Sequence, residues 1–184
     1  MLRRAVRFLG NVVSGSPDEE EKYPSLVLLL ENPISLTQEA IFELAMEVWG
    51  DSDKQGSIER GRHGRLWTVC ISEVLFGFRG GTGRYRRPRH EANEVRQRVW
   101  DRHQAWLEVD YPNGAKIPES EWPGCYKLLF LMANHLWGEN CLGIYLPVQG
   151  VTVPNMGELI ASIRWAGTNG TPLPFLHEQE EREA

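Results

Sequence analysis

The chain's 184 residues suit one domain, and with 41% hydrophobic and 24% charged residues it is too apolar to be disordered. A domain of this size buries roughly 70% of its unfolded surface and so needs neither disulfide nor metal to fold. Its formal net charge of −5 argues against a dedicated DNA binder, and no apolar run approaches the roughly 18 residues of a membrane-spanning helix.

In chain order, the basic start Met1–Leu9 is interrupted by Gly10 and Asn11 before a signal-peptide core can form. Ser14–Pro17 then runs into Asp18–Glu21, so residues 1–24 read as a basic segment and an acidic linker. Ser25–Leu30 (SLVLLL) has the continuous apolar character of a buried central strand and stops before Asn32-Pro33. A helix follows. Ser35, with Gln38 three residues on, gives a capping-box pattern. Ile41, Leu44, Ala45 and Val48 recur at helical spacing, Phe42, Met46 and Trp49 widen the stripe, and Gly50 ends it. A stripe this broad packs on a sheet.

Residues 51–64 read as a polar loop. Leu66–Ile71 and Val74–Phe78 have strand composition, joined either by a turn at Ser72-Glu73 or, since that turn lacks Gly and Asn, as one long bent strand. Residues 79–90 are rich in glycine and arginine, and Glu91–Asp101 suits a short polar helix. From His103 to Tyr111 the pattern alternates: Ala105, Leu107, Val109 and Tyr111 on one face, Trp106, Glu108 and Asp110 on the other. That predicts a half-buried strand with His103 on the Ala105 side and the two carboxylates in solvent, ending at Pro112-Asn113-Gly114.

A second helix starts near Ser120, with Pro123 in its first turn and Cys125, Leu128, Leu129, Met132 and Leu136 as its stripe. Gly138 stops it. Cys141–Leu146 and Val151–Val153 are strands, and a last helix capped by Asn155 runs over Leu159, Ile160, Ile163 and Ala166 to Gly167. Residues 168–184 form a Pro-rich, then acidic tail. This order predicts a single α+β domain over 25–167: a mostly antiparallel sheet with helices on one face, and a ferredoxin-like core with additions.

Eleven of the twenty basic residues fall between positions 60 and 103 against four acidic ones, a local net charge of +7. Arginine's planar fork matches phosphate and carboxylate, Tyr85 amid Arg84, Arg86, Arg87 and Arg89 offers a stacking surface, and Gly80–Gly83 can bring backbone N–H groups to an anion. The competing expectation is a solvated segment paired with the acidic stretches at 18–21 and 178–183. Trp106, pointing away from Leu107 and Val109, marks either a protein-recognition patch or the place where the 91–102 helix lies.

The three cysteines, Cys70, Cys125 and Cys141, show no CxxC and no zinc spacing with histidine, so free thiols in a reducing, cytoplasmic setting are expected. No motif calls for a cofactor: there is no GxGxxG, P-loop, GxSxG or HExxH. The residue types permit a nucleophile pair of Cys125 with His103 or His135, oriented by Asp110, and a carboxylate pair of Glu108 and Asp110, though no spacing demands either.

The layout of His103-x-Ala-Trp-Leu-x-Val109, then Tyr126 through Trp137, then Cys141-Leu-Gly-Ile-Tyr145, resembles an uncharacterised bacterial domain family over about residues 25–166. That resemblance implies a core pattern and no catalytic residues, and the arginine-rich 84–102 segment is not part of it. The leading expectation is a non-catalytic interaction domain of a bacterial cell with a protein partner. The alternatives are a nucleic-acid or other polyanion binder acting through Arg79–Arg102, and an enzyme with an unrecognised site.

Overall fold

The computed structural model describes residues 23–49, 56–60, 66–71, 74–86, 93–111, 116, 118–136 and 138–155. The N-terminal basic and acidic segments up to residue 22, the turn at 112–114, the last helix expected from residue 155 and the acidic tail lie outside them.

Seven strands form one sheet: β1 (Ser25–Leu30), β2 (Gly56–Arg60), β3 (Leu66–Ile71), β4 (Val74–Thr82), β5 (Ala105–Asp110), β6 (Cys141–Leu146) and β7 (Val151–Pro154). They lie in the order β2-β3-β4-β5-β1-β6-β7, and every neighbouring pair is antiparallel. Three helices accompany them: α1 (Gln38–Trp49), α2 (Glu94–Arg102) and α3 (Trp122–Leu136), the last entered through a 3₁₀ turn at Glu119–Glu121. The class is α+β. Taken alone, β4, β5, β1 and β6 lie side by side, with α1 on the path from β1 to β4 and α3 on the path from β5 to β6.

β1 is the hub. All six of its residues are buried, because β5 and β6 flank it and both faces are covered. Leu26, Leu28 and Leu30 enter the larger core with Ile41 and Ala45 of α1 and Tyr126, Leu129, Phe130, Met132 and Ala133 of α3. Each such leucine withdrawn from water contributes about 1.5–3 kcal/mol before the entropy of ordering it. Val27 and Leu29 point the other way, into a smaller cluster with Val99 and Trp100 of α2 and Tyr145 of β6. The two long helices thus share one face as expected, while α2 lies on the opposite one, because its buried pair Val99 and Trp100 fills the space above Val27, Leu29 and Tyr145.

Several local expectations shift. Thr37, not Ser35, caps α1: its Oγ1 accepts from the Ala40 N–H at 3.2 Å and its carbonyl from Ile41 N–H at 3.1 Å. The stretch expected as a polar loop contains β2, which pairs with β3 in the register Ile58↔Val69. An edge strand with one partly buried apolar side chain, Ile58, carries almost no hydrophobic signal. β3 and β4 form a hairpin in which Ile71 lies opposite Val74, so they are two strands and not one bent strand.

The glycine run does not leave the sheet: β4 continues through Gly80 and Gly81 to Thr82. Gly81 is demanded by the neighbouring strand, since a Cβ there would come within 2.8 Å of the Trp106 indole. All three cysteines are free, Cys125 and Cys141 being buried. Among the described residues no helix is long and apolar enough to cross a membrane.

Candidate functional site

The α2 side of the sheet holds the chemistry. Asn93 caps α2, its side chain accepting from Val95 N–H at 2.9 Å and Arg96 N–H at 3.3 Å. The helix docks through Trp100, whose Nε1–H donates to Thr152 Oγ1 at 2.9 Å and whose ring meets Tyr145 edge-on at 5.2 Å. His103 is the C-cap residue of α2 and not the first residue of β5. Its Nε2 accepts from Tyr85 N–H at 2.9 Å, so its Nδ1–H donates to the Trp100 carbonyl at 2.8 Å. Burial holds its pKa below the ordinary histidine value, against the pull of its backbone contacts to Trp100 and Val99. A neutral imidazole with both nitrogens bound joins α2 to the end of β4; it has no free nitrogen to serve as a base.

The expected binding residues divide. Tyr85 packs edge-on against Trp106 at 5.0 Å and lies 6.2 Å from Tyr145, so its ring serves the smaller core. Trp106 is half-buried beneath it. Arg84 is exposed and donates to the Asp101 carbonyl at 3.2 Å; Arg86 is exposed; Arg87 and Arg89 lie outside the described residues. Arg102 pairs with Glu31 at 2.7 Å across the surface, and Arg60 stacks over Trp67 at 5.4 Å on the sheet's other face. The arginines described with partners are tied to the fold itself, namely Glu31, Glu108, the Asp101 carbonyl and Trp67.

A different arginine forms the distinctive cluster. Arg79 of β4 lies opposite Glu108 of β5, and Gly77 opposite Asp110. The guanidinium is 2.8 Å from Glu108 Oε1 and 4.0 Å from Asp110 Oδ2. Glu108 and Asp110, expected in solvent, are each only 5% exposed. On that face the Arg79 side chain of β4 reaches over both carboxylates, and β4 and β1 flank them on either side. Asp110 Oδ1 is buried without a hydrogen-bond partner.

Burial pushes Asp110 up to about 6 and the Glu108 charge adds to it, while Arg79 and a backbone hydrogen bond from Gly77 oppose both. Burial likewise raises Glu108 against the pull of Arg79. Burial alone would lower Arg79, but the two carboxylates outweigh it and the guanidinium stays above its usual value. Two carboxylates facing one guanidinium leave this buried cluster one positive charge short.

Gly77 makes room for it. An alanine Cβ at that position would fall on Asp110 Oδ1 and 2.9 Å from its Cγ. Gly77→Ala should therefore destabilise by about 1–3 kcal/mol in denaturant melts, as overpacking does. The further change Asp110→Ala should recover part of that loss, because the two sites couple by contact. Equal destabilisation with and without Asp110 would place the cost elsewhere.

The Cys125 pairings do not form a catalytic set among the described bonds. Burial pushes the Cys125 thiol up, away from the thiolate form. His135 Nδ1 lies 3.7 Å from Glu47 on the outer surface of the helices, and His103 is occupied as above. Burial pushes Cys141 up to about 12. No three His, Cys, Asp or Glu side chains among the described residues converge as metal ligands.

Sequence reasoning counted Arg79 in the arginine-rich segment but did not pair it with Glu108 and Asp110, since only strand register brings them together. No known family, curated protein or solved structure matches this chain.

Proposed function

We propose that the chain is a non-catalytic binding domain with a protein partner, acting in a bacterial cytoplasm as the family resemblance and free thiols suggest. The supporting observation is the uneven cover of the α2 side of the sheet. α2 packs over β6 and β7, while Ser57, Glu59, Thr68, Cys70, Leu75 and Arg79 of β2–β4 share that side and remain partly or fully exposed. Arg79 stands among these residues with its guanidinium held by Glu108 and its side chain 46% exposed. A pre-oriented arginine amid small polar side chains suits a protein surface. Tyr85 and Trp106, spent on each other, suit it less.

The test is site-specific photo-crosslinking on the full chain in host lysate, with the probe at Ser57 or Thr68 and, as control, at Lys127 on the exposed side of α3. The expected result is one protein adduct at the sheet positions, absent at Lys127 and competed by unlabelled chain. Equal labelling at all three positions would overturn the choice of face. Anisotropy with labelled single-stranded RNA and DNA tests the polyanion alternative. Binding that falls steeply with salt, and is lost when Arg84 and Arg86 become glutamine, would replace the protein-partner reading.

A further inference from the structure

The mid-sheet cluster carries an inference that is independent of any partner. Asp110 lies between Gly77 of β4 and Ser25 of β1 in register. Among the described residues, the titratable groups around it are Arg79 from β4, Glu108 from its own strand, and Tyr23, which precedes β1 and acts on the Arg79 charge. β1 contributes only uncharged Ser25 and Val27 beside the pair. Arg79 sits on Glu108 at 2.8 Å and reaches Asp110 only at 4.0 Å, so among the described residues the second carboxylate has no counter-ion of its own. Its Oδ1 is buried, unpartnered and pressed into the space above Gly77. Such an oxygen is costly as an anion and tolerable as a neutral carboxyl.

We propose that Glu108 and Asp110 form a one-proton site, a pH-sensitive catch on the β4–β5 seam that holds when one carboxyl is protonated and loosens when both are ionised. One proton taken from solvent onto Asp110 removes the uncompensated charge and leaves Arg79 and Glu108 as a one-to-one ion pair. Glycine at 77 keeps the second carboxyl out of water, which is what makes the proton necessary.

The sign follows from linkage. A carboxyl that binds its proton more tightly in the folded state adds stability in acid, and that stability is lost as pH rises through about 6. His103 acts oppositely over an overlapping range: its depressed affinity means stability is lost as pH falls below the ordinary histidine value near 6.5. The wild-type curve therefore mixes two trends, and comparison with Asp110→Asn isolates one.

Urea melts of the full chain at about pH 7 and pH 5 should show the folding constant of wild type, relative to Asp110→Asn, rising about tenfold in acid. Hydrogen exchange at the Gly77 and Arg79 amides, corrected for intrinsic rates, should accelerate above neutral pH in wild type and not in the variant. Carbon-13 titration of the wild-type carboxyls should place one midpoint near 6. That measurement decides the matter even if the variant does not fold. Midpoints for both carboxyls in the ordinary range near 4, or a pH-independent ratio between wild type and variant, would overturn the proposal.

Discussion

Trp100→Ala should cost about 3–5 kcal/mol in denaturant melts, the range for removing a large aromatic from a packed core. Trp100 is 2% exposed and closes the smaller core with Val27, Leu29, Val99 and Tyr145. It makes edge contacts with His103 at 5.3 Å and Tyr145 at 5.2 Å, and its N–H serves the fully buried Thr152 hydroxyl. Alanine would leave a cavity beside a polar pair that has lost one member, and α2 would lose its main attachment to β6 and β7. Trp100→Phe keeps one aromatic ring of the two and loses the hydrogen bond and some packed volume, so it should cost less than alanine. Hydrogen exchange should show α2 opening before the sheet in the alanine variant. A loss below about 1 kcal/mol, the scale of surface changes, would mean that α2 is not held by this residue.

Leu129→Ala should cost about 2–5 kcal/mol by the same measurement. Leu129 is fully buried on α3 and belongs to the core shared with Ile41 and Ala45 of α1 and Leu26, Leu28 and Leu30 of β1. α1 and α3 touch each other above the sheet, so a void at their junction has rigid walls on several sides and little scope to collapse. Lys127→Ala, two residues earlier on the exposed side, should stay within about 0.5 kcal/mol. A similar cost at both positions would mean that Leu129 is no better packed than Lys127, since alanine is the best helix former and propensity supplies no loss at either.

The elements legible in the sequence were those whose pattern is set by burial close to the chain. SLVLLL reads as a strand covered on both faces, and β1 is that strand. The alternation over 105–110 assigned Ala105, Leu107 and Val109 to the helix-covered face and Trp106 to the other, as found. The α3 stripe placed Cys125, Leu129 and Met132 inward. Polarity misled where a polar residue's environment comes from a neighbouring strand. Glu108 and Asp110 look like solvent residues along β5 alone, and β2 looks like a loop because an edge strand needs little apolar surface.

The sequence by itself determined the α+β class, the central place of Ser25–Leu30, and the two broad helices that pack together, because hydrophobic periodicity is a local property of the chain. Only the tertiary structure decided that α2 covers the opposite face, that His103 bridges Tyr85 and Trp100, and that Arg79 meets two carboxylates over Gly77. The last of these depends on strand order and register, which join residues about thirty positions apart and leave no periodic trace. The charge on Asp110 depends further on how much water its neighbours exclude, a property of the assembled sheet and not of any segment within it.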